Sequence, residues 1–532
     1  MSRAPRKARR PVRRIQIDPR AVEAFRQREL EDWRWIKEVP RGELLKLVPK
    51  GFEFITAPRD HQLACFILAK LLQRFLFFLD MGSGKSKLVL DLIRFRKWKG
   101  ELRAALICVP NVINLASWEA QLNLHAPDLT YEVLGGNRKQ RYTALDGERK
   151  DVYLINYAGL AVYIAAAKRA TKKGTMKRTM VVEDAQDFSA LFNFLALDEC
   201  HMGLSKVTSL QYQLVKYLSW NSDFCYGLTG TPMGRDPAKM WPQFHVIDQG
   251  ETLGHSLAMF RSAFYLEKES YWAGIEYVFD PKRRLLLHRT LQHRSLRYKD
   301  TEVASTPGLQ PPIQIPVQMS AAQLSANAEL LRDARIARET EEAPPAVYIR
   351  QRQIAAGFLG LSTEDGDKLE VAFDPNPKID ALEQFIAELG EDKKLVIFHC
   401  YVHSGVLIAA LLTKMKLKYT GVGHGYKDPS LQLRRFMADP SYRFFVANCA
   451  AGGTGVDGLQ KVAHYGLFYE TPTAPDRRRQ AEKRLDRDGQ TMPVYIYDLV
   501  ARGINVDQRA LDNIAKGRDM MDGVVDGKEK RR

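Results

Sequence analysis

Nothing in this sequence supplies a disulfide framework or a zinc site. Its six cysteines, Cys65, Cys108, Cys200, Cys225, Cys400 and Cys449, include no Cys-x-x-Cys pair. Most stand in apolar strand or helix contexts and read as reduced core residues of an intracellular protein. Apolar runs such as Phe75 to Leu79 are far too short to cross a bilayer. The N-terminus is basic with no apolar stretch behind it, so no signal peptide is expected. No short internal repeat is visible. Negative charge is in deficit, with 63 Asp and Glu against 80 Lys and Arg, a net charge of +17. That balance fits a polyanionic partner but does not distinguish DNA, RNA and an anionic membrane.

A chain of 532 residues is too long for one core, so two domains with extensions are expected. Its 45% hydrophobic content is ordinary for a globular protein. Residues 1–17 are read as a basic arm, either a solubilising tail or a nucleic-acid contact. Asp18-Pro19 is a helix start, with proline at the first helical position. The helix is expected to run to about Lys37, to pack through Val22, Phe25, Leu30, Trp33 and Ile36, and to dock on the first lobe. From Phe75 to Leu228, and again from Leu395 to Asp498, short apolar strands alternate with helical stretches. Such alternation implies α/β lobes, each a parallel sheet with helices on both faces.

Two strings carry most of the chemistry. Asp80-Met81-Gly82-Ser83-Gly84-Lys85-Ser86 follows an apolar strand and precedes an apolar-periodic helix, as a phosphate loop requires. Its glycines let backbone N–H groups converge on phosphate oxygens. Lys85 would reach the β- and γ-phosphates, and the Ser86 hydroxyl would ligate Mg²⁺. Leu79 stands where the strict pattern has its first glycine. The second string, Gln480 to Gln490, places Arg484 and Arg487 three apart, hence on one face if the segment is helical. Its alternative is a solvated charged helix. Between them, the apolar strand Phe194 to Leu197 ends in Asp198-Glu199. Asp198 would hold Mg²⁺ and Glu199 would activate water. Thr229-Gly230-Thr231-Pro232 alone reads as a turn. Lys168 to Arg178, holding Lys172 and Lys173, reads as a solvated basic loop or as a further backbone contact.

In this order the motifs resemble helicase superfamily two, and within it the Swi/Snf-like ATPases. Arg59-Asp60-His61-Gln62 is similar to the adenine-reading segment. Leu106 to Asn111 with Trp118-Glu119, Val152 to Tyr157, Asp198-Glu199-Cys200-His201 and Thr229 to Pro232 follow the family's succession. Leu296-Arg297-Tyr298-Lys299 is similar to a basic segment at the lobe junction. Lys394 to His399, Asn448 to Gly455 and Gln480 to Gln490 match the second lobe, although Val456-Asp457-Gly458 departs from it. The resemblance spans roughly residues 50 to 515.

It implies two tandem RecA-like lobes with helical insertions between them. The boundaries expected are 18–50 for an N-terminal helical extension, 51–290 for lobe one, 291–390 for the junction, 391–517 for lobe two and 518–532 for a fraying polar tail. ATP would be bound by Arg59, Gln62, Met81, Gly82, Ser83, Gly84, Lys85 and Ser86. Gln480, Arg484 and Arg487 would join Lys85, Asp198 and Glu199 in catalysis on lobe closure. His201, Thr229, Gly230 and Thr231 would couple the nucleotide to nucleic acid held by Pro110, Asn111, Asn156, Tyr157, Gly452, Gly453 and Thr454. The expected activity is ATP-driven translocation along double-stranded DNA. A strand-separating DNA or RNA helicase, a nucleic-acid-binding scaffold with a vestigial ATP site, and a motor subunit whose nuclease lies on another chain are the alternatives. The expected location is cytoplasmic or nucleoid-associated in a prokaryote or virus, and nuclear in a eukaryote.

Overall fold

The computed structural model describes residues 18–80, 82–164, 167–170, 176–204, 206–270, 274–303, 307–339, 347–362, 368–423, 425–449 and 458–527. The chain groups into two compact units. Met1–Asp80, Gly84–Lys299 and Asp519–Arg532 form the first, and Met81–Ser83 with Asp300–Arg518 form the second.

The first unit is built on a seven-stranded parallel sheet. Its strands are β1 (Arg74–Leu79), β2 (Ala105–Val109), β3 (Tyr131–Val133), β4 (Val152–Asn156), β5 (Phe194–Asp198), β6 (Phe224–Leu228) and β7 (Ser295–Tyr298). Their spatial order is β7-β1-β6-β5-β2-β4-β3. In β2, β4, β5 and β6 every residue is buried. Helices cover both faces, which is why these strands read as continuous apolar runs without alternation. Because all strands run the same way, their carboxyl ends share one rim. The segments after β1, β2, β4, β5 and β6 all leave from that rim, where open α/β sheets bind ligands.

The second unit repeats the plan with six parallel strands: β8 (Ile313–Gln318), β9 (Leu395–His399), β10 (Lys418–Val422), β11 (Tyr442–Asn448), β12 (Tyr465–Phe468) and β13 (Tyr495–Arg502), in the order β8-β13-β12-β9-β11-β10. Its core gathers Leu395, Ile397, Leu412, Phe444, Val446, Leu467 and Leu499.

Several expectations need correction. The helix beginning at Pro19 is capped by the Asp18 side chain, which accepts from the Arg20 N–H at 2.9 Å. It ends at Arg26, not near Lys37. A 3₁₀ segment, Trp33–Glu38, follows. Val22, Phe25 and Ile36 are buried as expected, and Phe25 meets Phe264 of the first unit edge-on at 5.0 Å. The stretch after Pro232 is not simply helical: it contains hairpins at Tyr265–Ser270/Gly274–Phe279 and Phe358–Ser362/Lys368–Ala372. The junction segment Leu296–Lys299 supplies β7, paired in parallel with β1. The basic segment near Lys172 is a hairpin of Ala167–Ala170 and Met176–Thr179; Lys172 and Lys173 lie outside the described residues, as do residues 1–17 and 340–346. The polar tail does not fray at Gly517. A helix runs from Val506 to Val524, and Val524 and Val525 are buried in the first unit's core.

Candidate active site

Strand β1 delivers Asp80 to the rim, and a glycine turn then reverses the chain into the helix Lys85–Trp98. Gly82 and Gly84 take φ of +83° and +78°, the left-handed region that glycine enters at no steric cost. Gly84 has a second reason to be glycine, since a Cβ there would lie 2.1 Å from Gln62 Nε2. Gln62 is buried, accepting from the Arg59 N–H at 2.8 Å and donating to the Gly84 carbonyl at 3.3 Å. It therefore braces the phosphate loop as well as lying in the expected adenine-reading segment. Arg59 is exposed at the head of its helix. Met81 lies outside the described residues.

Asp198 closes β5, and Glu199 follows in a left-handed conformation, φ +42°. A non-glycine residue held there carries backbone strain, a feature that gathers at functional sites. Lys85 Nζ donates to Glu199 Oε1 at 2.9 Å. Thr229 Oγ1 donates to Glu199 Oε2 at 3.0 Å, and His201 Nδ1 stands 2.8 Å from Thr229 Oγ1. Thr231 closes the chain: its Oγ1 is 3.4 Å from His201 Nε2, and its N–H donates to Thr229 Oγ1 at 3.0 Å. Five residues from three segments thus form one hydrogen-bonded series. Gly230 lets two turns touch, because a Cβ there would come within 3.1 Å of the Asp80 Cα and the Leu79 carbonyl.

The electrostatics follow from burial and neighbours. Burial raises the Asp198 carboxyl above its ordinary range, and the Glu199 charge beside it adds to the effect. Burial acts the same way on Glu199, but the charges of Lys85 and His201 and the hydrogen bonds from Lys85 and Thr229 outweigh it and hold that carboxyl low. Burial opposes the Lys85 charge, yet Glu199 and Asp198 together keep the ammonium firmly protonated. Two adjacent carboxylates thus have opposite proton affinities.

Two further residues build the site, and their roles were not evident from sequence. The Trp118 indole N–H donates to Asp198 Oδ2 at 2.9 Å. The Tyr157 hydroxyl donates to the Asp198 carbonyl at 2.9 Å. Tyr157 is buried, and a Cβ on Gly203 would strike its ring at 2.7 Å. That is a correction, since Tyr157 was expected to touch nucleic acid and instead holds the acidic turn. Pro110 and Asn111 follow β2 and Asn156 ends β4 on the same rim; Asn111 Oδ1 accepts from the Asn114 N–H at 3.3 Å.

In the second unit the helix Pro475–Glu482 stops before the arginines of interest. Arg484 and Arg487 sit in the turns that follow, so they do not share a helix face. Two i→i−3 bonds, Arg484 N–H to Ala481 O at 3.1 Å and Leu485 N–H to Glu482 O at 3.0 Å, tighten the chain there, and the Leu485 side chain enters the core. Gln490 Nε2 then fastens the loop to the carbonyls of Ala463 and Leu485 at 3.0 and 2.9 Å. Nor is this string a solvated charged helix. Arg478, Gln480, Glu482 and Arg484 are buried. Arg478 donates to Glu482 at 2.7 Å and to Asp498 Oδ2 at 2.9 Å. Gly452, Gly453 and Thr454 lie outside the described residues.

The residues present fit MgATP. The left-handed glycines and a 14-residue helix starting at Lys85 offer N–H groups and a positive dipole end to an anion. One hydroxyl, Ser86, and one carboxylate, Asp198, suit a hard cation that keeps water among its ligands.

The chain has relatives among known proteins. A family model described as SNF2-related domain matches residues 64–350. The chain is similar to an uncharacterized ATP-dependent helicase of Mycoplasma genitalium, 21% identical over 471 residues that cover 87% of this chain and 40% of that protein. A putative ATP-dependent helicase/translocase of Bacillus subtilis is 22% identical over 448 residues, covering 80% of this chain and 44% of its own. The chain thus spans less than half the length of these relatives. Among solved structures, a Sulfolobus solfataricus SWI2/SNF2 ATPase core in complex with dsDNA covers 90% of this chain and 96% of its own at 18% identity, with a TM-score of 0.39.

Proposed function

The chain belongs to the SNF2-related family, and on that premise we propose that it is a nucleic-acid-dependent ATPase that moves along double-stranded DNA. The observation that carries the reading is the series Lys85–Glu199–Thr229–His201–Thr231. A vestigial ATP site has no reason to keep five polar side chains from three segments in mutual register, each buried or nearly so. ATP would be held by the loop from Gly82 to Ser86, with Gln62 bracing it. Mg²⁺, held by Ser86 and Asp198, would draw charge from the phosphate oxygens. In the structure Lys85 pairs with Glu199; with ATP bound, Lys85 turns to the phosphates and releases the Glu199 carboxylate. That carboxylate, still hydrogen-bonded by Thr229 and beside His201 but no longer neutralised by Lys85, can orient and deprotonate water. His201 and the two threonines sense the change, because each shares a hydrogen bond with the next. Gln480, Arg484 and Arg487 remain in the proposal as the second unit's contribution to turnover, which Arg484→Ala and Arg487→Ala test through kcat.

Nucleic acid is proposed as the partner from the +17 charge and from the dsDNA named for the Sulfolobus core. Backbone contacts near Asn111 and Asn156 would track a strand without reading its sequence. The test measures ATP turnover with duplex DNA, single-stranded DNA and RNA, paired with triplex displacement and forked-duplex unwinding. Duplex stimulation with triplex displacement and no unwinding is expected. Unwinding of the fork would select the helicase reading. Lys85→Ala should abolish turnover without unfolding the protein, and Glu199→Gln should bind ATP but not hydrolyse it. Parental turnover by Glu199→Gln on DNA would remove the catalytic assignment.

A further inference from the structure

The C-terminal tail reaches the strand that launches the phosphate loop. Arg297, on β7, lies opposite Phe78 of β1 in the sheet register. Its Nη1 donates to the Phe78 carbonyl at 3.1 Å and pairs with Asp80 Oδ1 at 2.7 Å. Its Nε lies 3.4 Å from Asp526 Oδ1, and Lys299 Nζ is 3.0 Å from Asp526 Oδ2. The Asp80, Arg297 and Asp526 side chains are 2%, 8% and 5% exposed, so water screens the two Arg297 pairs poorly. The tail carrying Asp526 is anchored independently. Arg284 pairs with Asp519 at 2.6 Å, the Val524 carbonyl lies 3.1 Å from His288 Nδ1, and Val524 and Val525 enter the core.

We propose that Asp526 is a positioning residue for the ATP site, acting through Arg297 on Asp80 and so on the start of the phosphate loop. This rests on the reading that the first unit binds ATP. The two aspartates hold one guanidinium between them. With both present, Arg297 has a fixed orientation and Asp80 a fixed partner. Without Asp526, the guanidinium keeps the Phe78 carbonyl and Asp80 at Nη1 but loses the carboxylate beside its Nε, and Lys299 loses this contact. Asp80 is sensitive to such a change, because its Cα also packs against Gly230, where no Cβ could fit without a shift. A displacement of Asp80 therefore reaches both the phosphate loop and the Thr229–Thr231 turn. A residue beyond the second unit thereby helps to shape the nucleotide site of the first.

The experiment compares MgATP affinity, by displacement of a fluorescent ATP analogue, with KM and kcat for DNA-stimulated turnover in the full chain. Asp526→Asn is expected to weaken MgATP binding and raise KM about five-fold, with kcat changed less than two-fold. Asp526→Glu should restore affinity to within about two-fold, and the Arg297→Gln/Asp526→Asn double variant should bind no more weakly than Arg297→Gln alone. If Asp526→Asn does not melt cooperatively, Arg297→Lys serves, because a single ammonium cannot bridge both carboxylates and should give the same rise in KM. MgATP affinity at the wild-type level in these variants, or effects that multiply in the double, would overturn the proposal. A wild type that fails to bind MgATP would overturn the functional reading, and this inference with it.

Discussion

Trp118→Phe isolates one bond of the candidate site. The indole N–H is the donor that the structure gives Asp198 Oδ2, and both residues are buried. Phenylalanine keeps an aromatic ring but removes the donor and some volume. Hydrogen bonds to charged groups contribute about 1.5–3 kcal/mol. The lost part of the ring leaves a void of roughly 40 Å³, which at ~24 cal/mol per Å³ adds about 1 kcal/mol. The variant should therefore lose about 2.5–4 kcal/mol in the first unit. All seven tryptophans precede Asp300, so denaturant unfolding followed by tryptophan fluorescence reports that unit selectively. A double-mutant cycle separates the two terms. In an Asp198→Ala background the bond no longer exists, and Trp118→Phe should cost only the void, about 1 kcal/mol. Costs that add within ~0.5 kcal/mol would show that Trp118 merely fills space and would refute the reasoning. The variant should also need more Mg²⁺ for half-maximal ATP turnover, because a less firmly oriented carboxylate is a poorer ligand.

Three other outcomes are expected. His245 is buried against Trp241 at 4.3 Å; burial, with a smaller push from Lys216, lowers its pKa from 6.5 to about 4. The unfolded chain then binds more protons between those values, so stability should fall as pH drops from about 6.5 to 4, by up to ~3 kcal/mol, and His245→Gln should flatten that fall in fluorescence-monitored unfolding. Lys378 pairs with Asp507 at 2.7 Å with both side chains buried, so Lys378→Met should strand a carboxylate and cost about 3–5 kcal/mol, read by circular dichroism during unfolding; no loss would mean that the pair is dispensable. The hairpin of Ala167–Ala170 and Met176–Thr179 carries Lys168, Arg169, Lys177 and Arg178 in its sequence, four cations that a phosphate backbone would attract. Reversing Lys168 and Arg178 to glutamate should lower the slope of log K against log salt for duplex DNA by about 1–2, and an unchanged slope removes this contact.

The sequence alone determined the buried central strands of both units, their parallel arrangement and the segments that leave their carboxyl ends, because apolar runs and glycine turns are local signals; β3, β7, β8 and β10, shorter or more polar, were not legible. Lys85, Asp198, Glu199 and the Thr229–Thr231 turn could be named from neighbours within a few positions. Tertiary structure alone decided what holds them. Trp118 meets Asp198 across 80 positions, Tyr157 reaches it across 41, and Asp526 meets Arg297 across 229. No periodicity links residues so far apart. Their contacts exist because parallel strands bring distant segments to one rim and because buried polar groups must find partners wherever the fold offers them. Arg484 and Arg487 lie off the expected helix because the chain tightens into i→i−3 bonds at Arg484 and Leu485, with the Leu485 side chain in the core, a packing that local spacing does not reveal.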